Sequence, residues 1–183
     1  MKTIVHILFN MKLGGTESML IDIMRQQVDL GFRVVLVLIN DEHDAEMINS
    51  IDCQVEVKYL RRTEGSRNPL HLVNLNWMLL RCKPWVIHVH TVRALGMLFV
   101  LKRRIVFTAH CLGIESPYIA KAKRVFAISN AVKDNLMALH GIISTVVYNG
   151  IDTTAIKRSV THNKDRFRIV QVGRMLKETK GQD

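Results

Sequence analysis

Short runs of β-branched residues alternate with stretches of helical periodicity along nearly the whole chain, and that alternation leaves few folds open. Residues 4–9, 34–38, 53–57, 85–89, 105–108, 125–128 and 145–148 read as strands. Between them, residues 17–30, 45–50, 70–81, 94–101, 118–123 and 131–139 carry apolar positions at helical spacing. The first of these is the clearest, with Met19, Leu20, Ile23, Met24 and Gln27 along one stripe and Gly31 as its stop. Strands separated by helices cannot be joined as hairpins, and the helices supply the crossovers that parallel pairing requires. The expected fold is α/β: a doubly wound, mostly parallel Rossmann-like sheet with helices on both faces. A content of 48% hydrophobic but only 6% aromatic residues suits strands buried on both sides by Val, Ile and Leu.

At 183 residues the chain has room for one complete domain of this kind. Residues 1–151 are expected to form it. Residues 152–167 lose the apolar pattern and gain charge and hydroxyls, as an interdomain linker does. Residues 168–183 then read as a strand running into a cationic loop, the expected start of a second domain. There Gly173 lets backbone N–H groups approach a ligand, while Arg174 and Lys180 supply charge suited to a diphosphate.

Lys and Arg number 26 against 16 Asp and Glu, a formal net charge of +10 that favours an anionic partner. A nucleotide phosphate, a lipid diphosphate and an acidic membrane surface all fit. Nucleic acid does not, because the chain has no helix-turn-helix, aromatic stacking platform or zinc module. Cys53, Cys82 and Cys111 are odd in number and lack C-x-x-C spacing, which supports neither a disulfide framework nor a zinc site and points to a reducing, cytoplasmic setting. The first residues read as a strand rather than a cleavable leader, and with no apolar window of ~18 residues the chain is not expected to span a membrane.

In such a sheet the ligand crevice lies beyond the carboxyl ends of the strands, and the unusual polar residues fall there. Gly14-Gly15-Thr16-Glu17 follows the first strand, where two missing Cβ atoms would let a ligand meet a helix N-terminus; locally the pair also reads as an ordinary tight turn. No G-x-G-x-x-G or phosphate-loop motif accompanies it. His88 and His90 share one face of the fourth strand and resemble half a metal site, but without a further ligand cluster no metal is expected. His88 reads as a hydrogen-bonded core residue, and His90 as ligand-facing. His110 closes the fifth strand at the crevice lip and is the candidate catalytic residue. Ser129 and Asn130 follow the sixth strand. Asn149-Gly150 follows the seventh and also carries the signature of a positive-φ turn. His90, Ser129, Asn149 and Gly150 are expected to line the cleft.

Taken in order, Gly14-Gly15-Thr16-Glu17, His88-Val89-His90, Thr108-Ala109-His110, Phe126 through Asn130, Val147 through Asp152, and Val172-Gly173-Arg174 through Lys180-Gly181 resemble glycosyltransferase family 4, of the GT-B fold. The resemblance spans the acceptor-binding domain, the linker and the first strand of the donor-binding domain. It implies a retaining enzyme that moves a sugar from a nucleotide diphosphate to a glycan or lipid-linked acceptor, with no metal or other cofactor. It further implies that Gly14 through Glu17 form the acceptor or diphosphate loop, that His110 contacts the transferred sugar, and that Arg174 and Lys180 neutralise the leaving diphosphate. Polysaccharide or lipopolysaccharide assembly at the inner face of the cell membrane is the expected setting. The family's paired donor-binding glutamates are not found, so the chain is expected to be inactive alone. The alternative is a non-catalytic Rossmann-like module that binds a nucleotide or phosphate.

Overall fold

The computed structural model describes residues 1–150, together with Thr153 and Ile169. The expected linker, the expected second domain, Arg174 and Lys180 therefore lie outside the described residues. By internal contacts the chain divides into Met1–Ile151 and Asp152–Asp183, and every strand and helix named here belongs to the first unit.

Seven strands form one sheet in which every pairing is parallel. The elements run β1 (Thr3–Leu8), α1 (Gly15–Asp29), β2 (Arg33–Asn40), α2 (Ala45–Asn49), β3 (Glu56–Arg62), α3 (Leu70–Cys82), β4 (Val86–Val89), α4 (Val92–Met97), β5 (Ile105–Ala109), β6 (Arg124–Ala127), α5 (Asn130–His140) and β7 (Thr145–Val146). Their order across the sheet is β3-β2-β1-β4-β5-β6-β7. The chain winds outward from β1 to β3, then returns to the other side of β1 and winds outward again, which puts a topological switch point between β1 and β4.

Alternation along the strands builds two cores. On one face Val5, Ile7, Val35, Val37, Ile39, Ile87 and Phe107 pack with Leu75 and Leu79 of α3, Leu95 of α4 and Leu136 of α5. On the other, Leu8, Leu36 and Leu38 pack with Leu20 and Met24 of α1 and Met47 of α2. The first two crossovers thus lie on the second face, while α3, α4 and α5 lie on the first.

Three elements differ from the sequence reading. The pattern places the third strand at 53–57, but it starts at Glu56, because Asp52 organises a turn there: its carboxylate accepts from the Gln54 N–H at 2.8 Å and its carbonyl from the Val55 N–H at 3.0 Å. The pattern places the fourth helix at 94–101, but it spans Val92–Met97. The buried Asn76 side chain ends it, accepting from the N–H groups of Phe99 (3.0 Å) and Val100 (3.2 Å) and donating to the Met97 carbonyl (2.8 Å). Residues 118–123 do not form an α-helix; Pro117–Lys121 is a 3-10 turn opened by the Ser116 hydroxyl.

Candidate functional site

A cleft of about 310 Å³ opens on the α1 side of the sheet, where, among the described residues, β4, β5 and β6 have no helix of their own. The period of two sets its floor. His6 pairs in register with His88, and Thr108 with Phe126, so His6, His88, His90, Thr108 and Phe126 all point to the face that α1 covers only in part. Met19 and Ile23 of α1 form one wall, and Val147 through Gly150 form the other. His110 stands just past the end of β5 and lines the same space.

Four imidazoles gather there. His6 meets Gln27 Oε1 through Nε2 at 2.7 Å and His90 Nε2 through Nδ1 at 3.1 Å. His90 Nδ1 in turn meets His110 Nε2 at 3.2 Å. His88 lies against His90, with ring centroids 4.1 Å apart, and its Nε2 pairs with the Thr108 hydroxyl at 2.8 Å. Burial of these rings penalises their charged forms. It lowers the His6 pKa to about 4, against an opposing hydrogen bond from Gln27. His88 and His90 lie well below the ordinary histidine value, first through burial and then through the neighbouring imidazoles. Burial lowers His110 as well. All four rings are neutral at pH 7.

The cleft brings together His110, His90, Asn149 and Gly150 from the sequence candidates. His88 is hydrogen-bonded, as a core histidine should be. His90, expected to face ligand, lines the cleft but is only 6% exposed and has both nitrogens committed to other rings. Ser129 caps α5, its hydroxyl accepting from the Val132 N–H at 3.2 Å. Gly14 caps α1 with φ −171°, and Gly15, Thr16 and Glu17 form that helix's first turn, one turn before Met19. Neither glycine has positive φ, and a Cβ on Gly15 would meet nothing within 4 Å. A tight turn therefore does not account for the pair. Asn149 and Gly150 likewise lack positive φ.

Sequence reasoning misses His6 and Gln27. His6 carries the same two-residue phase as His88 and His90, but only the pairing of β1 with β4 makes them neighbours. Gln27 reads in the sequence as one more position on the apolar stripe of α1.

His6, His88 and His90 offer nitrogens within 4.8 Å of one another, the spacing of a three-histidine metal site. The fit is poor, since both nitrogens of His6 and of His90 and one of His88 already have partners. An ion would have to break the row that holds the rings.

The profile of Glycosyltransferase Family 4 matches residues 13–155, and the chain belongs to that family. Among solved structures it is similar to a glycosyltransferase from Rickettsia africae ESF-5, at 16% identity and TM-score 0.64, covering 84% of this chain and 44% of that one. It is also similar to Anabaena Alr3699/HepE in complex with UDP and glucose, at 24% identity and TM-score 0.66, covering 86% and 47%. Phytolacca americana UGT2, complexed with UDP-2fluoro-glucose and pterostilbene, shares 10% identity at TM-score 0.52, covering 82% and 54%. The sheet thus has the Rossmann-like fold found in these GT-B glycosyltransferases, and the chain spans about half the length of each of these structures. No curated protein matches it.

Two outcomes test this description. Gly15→Ala should leave stability unchanged or raise it by up to ~1 kcal/mol, since the position is helical and open. A destabilisation above ~1 kcal/mol in urea unfolding would mean that the fold itself needs the glycine. The imidazoles stay neutral in the fold but take a proton near pH 6.5 once unfolded, so the unfolded chain binds more protons between about pH 6.5 and pH 4. Stability should be flat above pH 7 and fall through that window, with His6 alone accounting for about 3 kcal/mol by pH 4. A flat urea midpoint from pH 6.5 to 4.5 would mean that the rings are charged in the fold.

Proposed function

We propose that this chain is the acceptor-binding lobe of a retaining glycosyltransferase that moves a sugar from a nucleotide diphosphate to a glycan or lipid-linked acceptor, without a metal or other cofactor. The convergence of His110, Asn149 and Gly150 with α1 on one cleft at the carboxyl ends of the strands carries this reading. His110 contacts the transferred sugar, and Gly14 through Glu17 close on the acceptor or diphosphate at the start of α1. Departure of the diphosphate builds negative charge, and Arg174 and Lys180 are the cations that stabilise it; losing one such group costs on the order of 10²-fold in rate. Acting alone, this lobe would transfer no sugar. That Alr3699/HepE was solved with UDP and glucose supports a nucleotide-sugar donor.

The acceptor carries a diphosphate. A second cavity, about 660 Å³, lies at the carboxyl ends of β1, β2 and β4, and its charged lining is two cations, Arg62 and Arg93, against one carboxylate, Glu64. Asn40 Oδ1 (2.9 Å) and the Ser66 carbonyl (2.7 Å) hold the Arg62 guanidinium in place. A fixed guanidinium suits phosphate oxygens. Titration calorimetry should show a short-chain isoprenyl diphosphate binding at least ~10-fold more tightly than a UDP-sugar, and Arg62→Gln should weaken it by ~10-fold or more. Binding of the nucleotide alone would favour the non-catalytic module instead.

The lobe works at an anionic membrane face. Among the described residues no helix is long and apolar enough to cross a membrane. Yet α3 exposes Leu70, Val73, Trp77 and Leu80, each 47–61% exposed, as one stripe at helical spacing. Arg81 lies over the Trp77 ring at 4.6 Å, and Lys2 lies over Trp85 at 4.3 Å. Exposed apolar side chains flanked by cations fit the interface of an acidic bilayer. Co-sedimentation with phosphatidylglycerol vesicles should exceed that with phosphatidylcholine vesicles and fall at least ~10-fold for Trp77→Asp, which removes the anchor and adds a repelled charge. Equal binding to both vesicles would remove the membrane from this reading.

A further inference from the structure

Gln27, His6, His90 and His110 form an unbroken hydrogen-bonded row from the last turn of α1 to the cleft, with contacts of 2.7, 3.1 and 3.2 Å. A neutral imidazole carries one N–H and one lone pair. Each ring-to-ring contact needs one of each. Three neutral rings in series can therefore hold their protons in only two ways: every ring on Nε2, or every ring on Nδ1. An amide oxygen only accepts. With Oε1 of Gln27 facing His6 Nε2, the first arrangement is selected: His6 donates to Gln27, His90 Nε2–H donates to His6 Nδ1, and His110 Nε2–H donates to His90 Nδ1.

We propose that Gln27, His6 and His90 are positioning residues that lock His110 in its Nε2–H tautomer, so that His110 offers Nδ1 to the cleft ligand as a hydrogen-bond acceptor. Among the described residues Nδ1 of His110 has no hydrogen-bond partner, and Met19, Ile23 and Phe126 make much of the lining apolar. Whether this nitrogen is a lone pair or an N–H thus decides how a ligand hydroxyl can approach. The groups around the row do not compete for it. His88, from β4, lies tilted against His90 but turns Nε2 to Thr108 of β5. No carboxylate, lysine or arginine among the described residues is hydrogen-bonded to a ring of the row. Burial keeps all three rings uncharged, the condition under which the two-way choice holds.

That the ligand is a sugar rests on the function proposed above, but the tautomer does not. Long-range 1H–15N correlation spectra of the whole chain, labelled in histidine and recorded at pH 8, read the proton positions directly. His6, His90 and His110 are each expected to show a protonated, pyrrole-type Nε2 and an unprotonated, pyridine-type Nδ1. Gln27→Met keeps the length of the side chain but removes the acceptor, and should move both His110 nitrogens toward values averaged over the two tautomers. Gln27→Glu retains an acceptor and should retain the original pattern. Protonation of His110 on Nδ1 in the unaltered protein would overturn the assignment, as would a Gln27→Met spectrum indistinguishable from it. The unaltered protein suffices for the first of these results if a variant does not fold. None of the spectra depends on sugar transfer, so failure of the relay and failure of the functional reading give different observations.

Discussion

Because every strand pairing in the sheet is parallel, each connection must return from the carboxyl end of one strand to the amino end of the next, and the face on which it crosses fixes where a ligand can sit. The crossovers through α1 and α2 lie on one face, and those through α3, α4 and α5 on the other. Among the described residues, the change of side leaves β4, β5 and β6 without a helix of their own on the α1 face. A ligand cleft there is a product of winding order more than of any single residue. It also puts β1 beside β4, so that His6 on one strand faces His88 and His90 on the other.

That juxtaposition carries a cost that the fold has met in a particular way. Imidazoles buried without partners would lose their hydrogen bonds to water, and charged ones would lose far more. No buried carboxylate among the described residues balances them; the rings instead satisfy one another, with Gln27 at one end and Thr108 beside His88. Satisfied this way they can be neutral without being orphaned. A row of this kind has a direction, because each proton commits the next. Under the proposed relay, the Gln27 amide on α1 fixes the tautomer presented at the lip of the cleft.

Much of this is legible in the chain itself, and the gaps have identifiable causes. The alternation of apolar runs is a local signal, so the parallel fold and most helices follow from it. The third strand is misplaced by pattern because residues 53–57 have strand-like composition, yet Asp52 ties the local backbone into a turn. The fourth helix is overextended because its end is set by Asn76, a residue more than 20 positions earlier that takes over its terminal backbone groups. His110, Asn149 and Gly150 are legible as candidates because they sit at strand ends, where a doubly wound sheet puts its cleft. His6 is not, since a lone histidine within an apolar strand has no meaning until the strand order is known. Gln27 is hidden by its place on an apolar stripe. Local pattern reveals elements, while strand order reveals partners.

A neutral histidine row also suits the charge that sugar transfer would develop. As a glycosidic bond to a diphosphate breaks, the anomeric carbon becomes cationic while the leaving oxygens become anionic. A cationic imidazole beside the sugar would oppose the first of these changes, and a cluster of four free to titrate near pH 6.5 would do so with small shifts in acidity. Burial removes that hazard by keeping His6, His88, His90 and His110 uncharged. Positive charge is then left to side chains elsewhere, such as the guanidinium of Arg62 in the second cavity. The two cavities are thereby built on different principles, one desolvated and neutral, the other lined by charged groups, Arg62, Arg93 and Glu64.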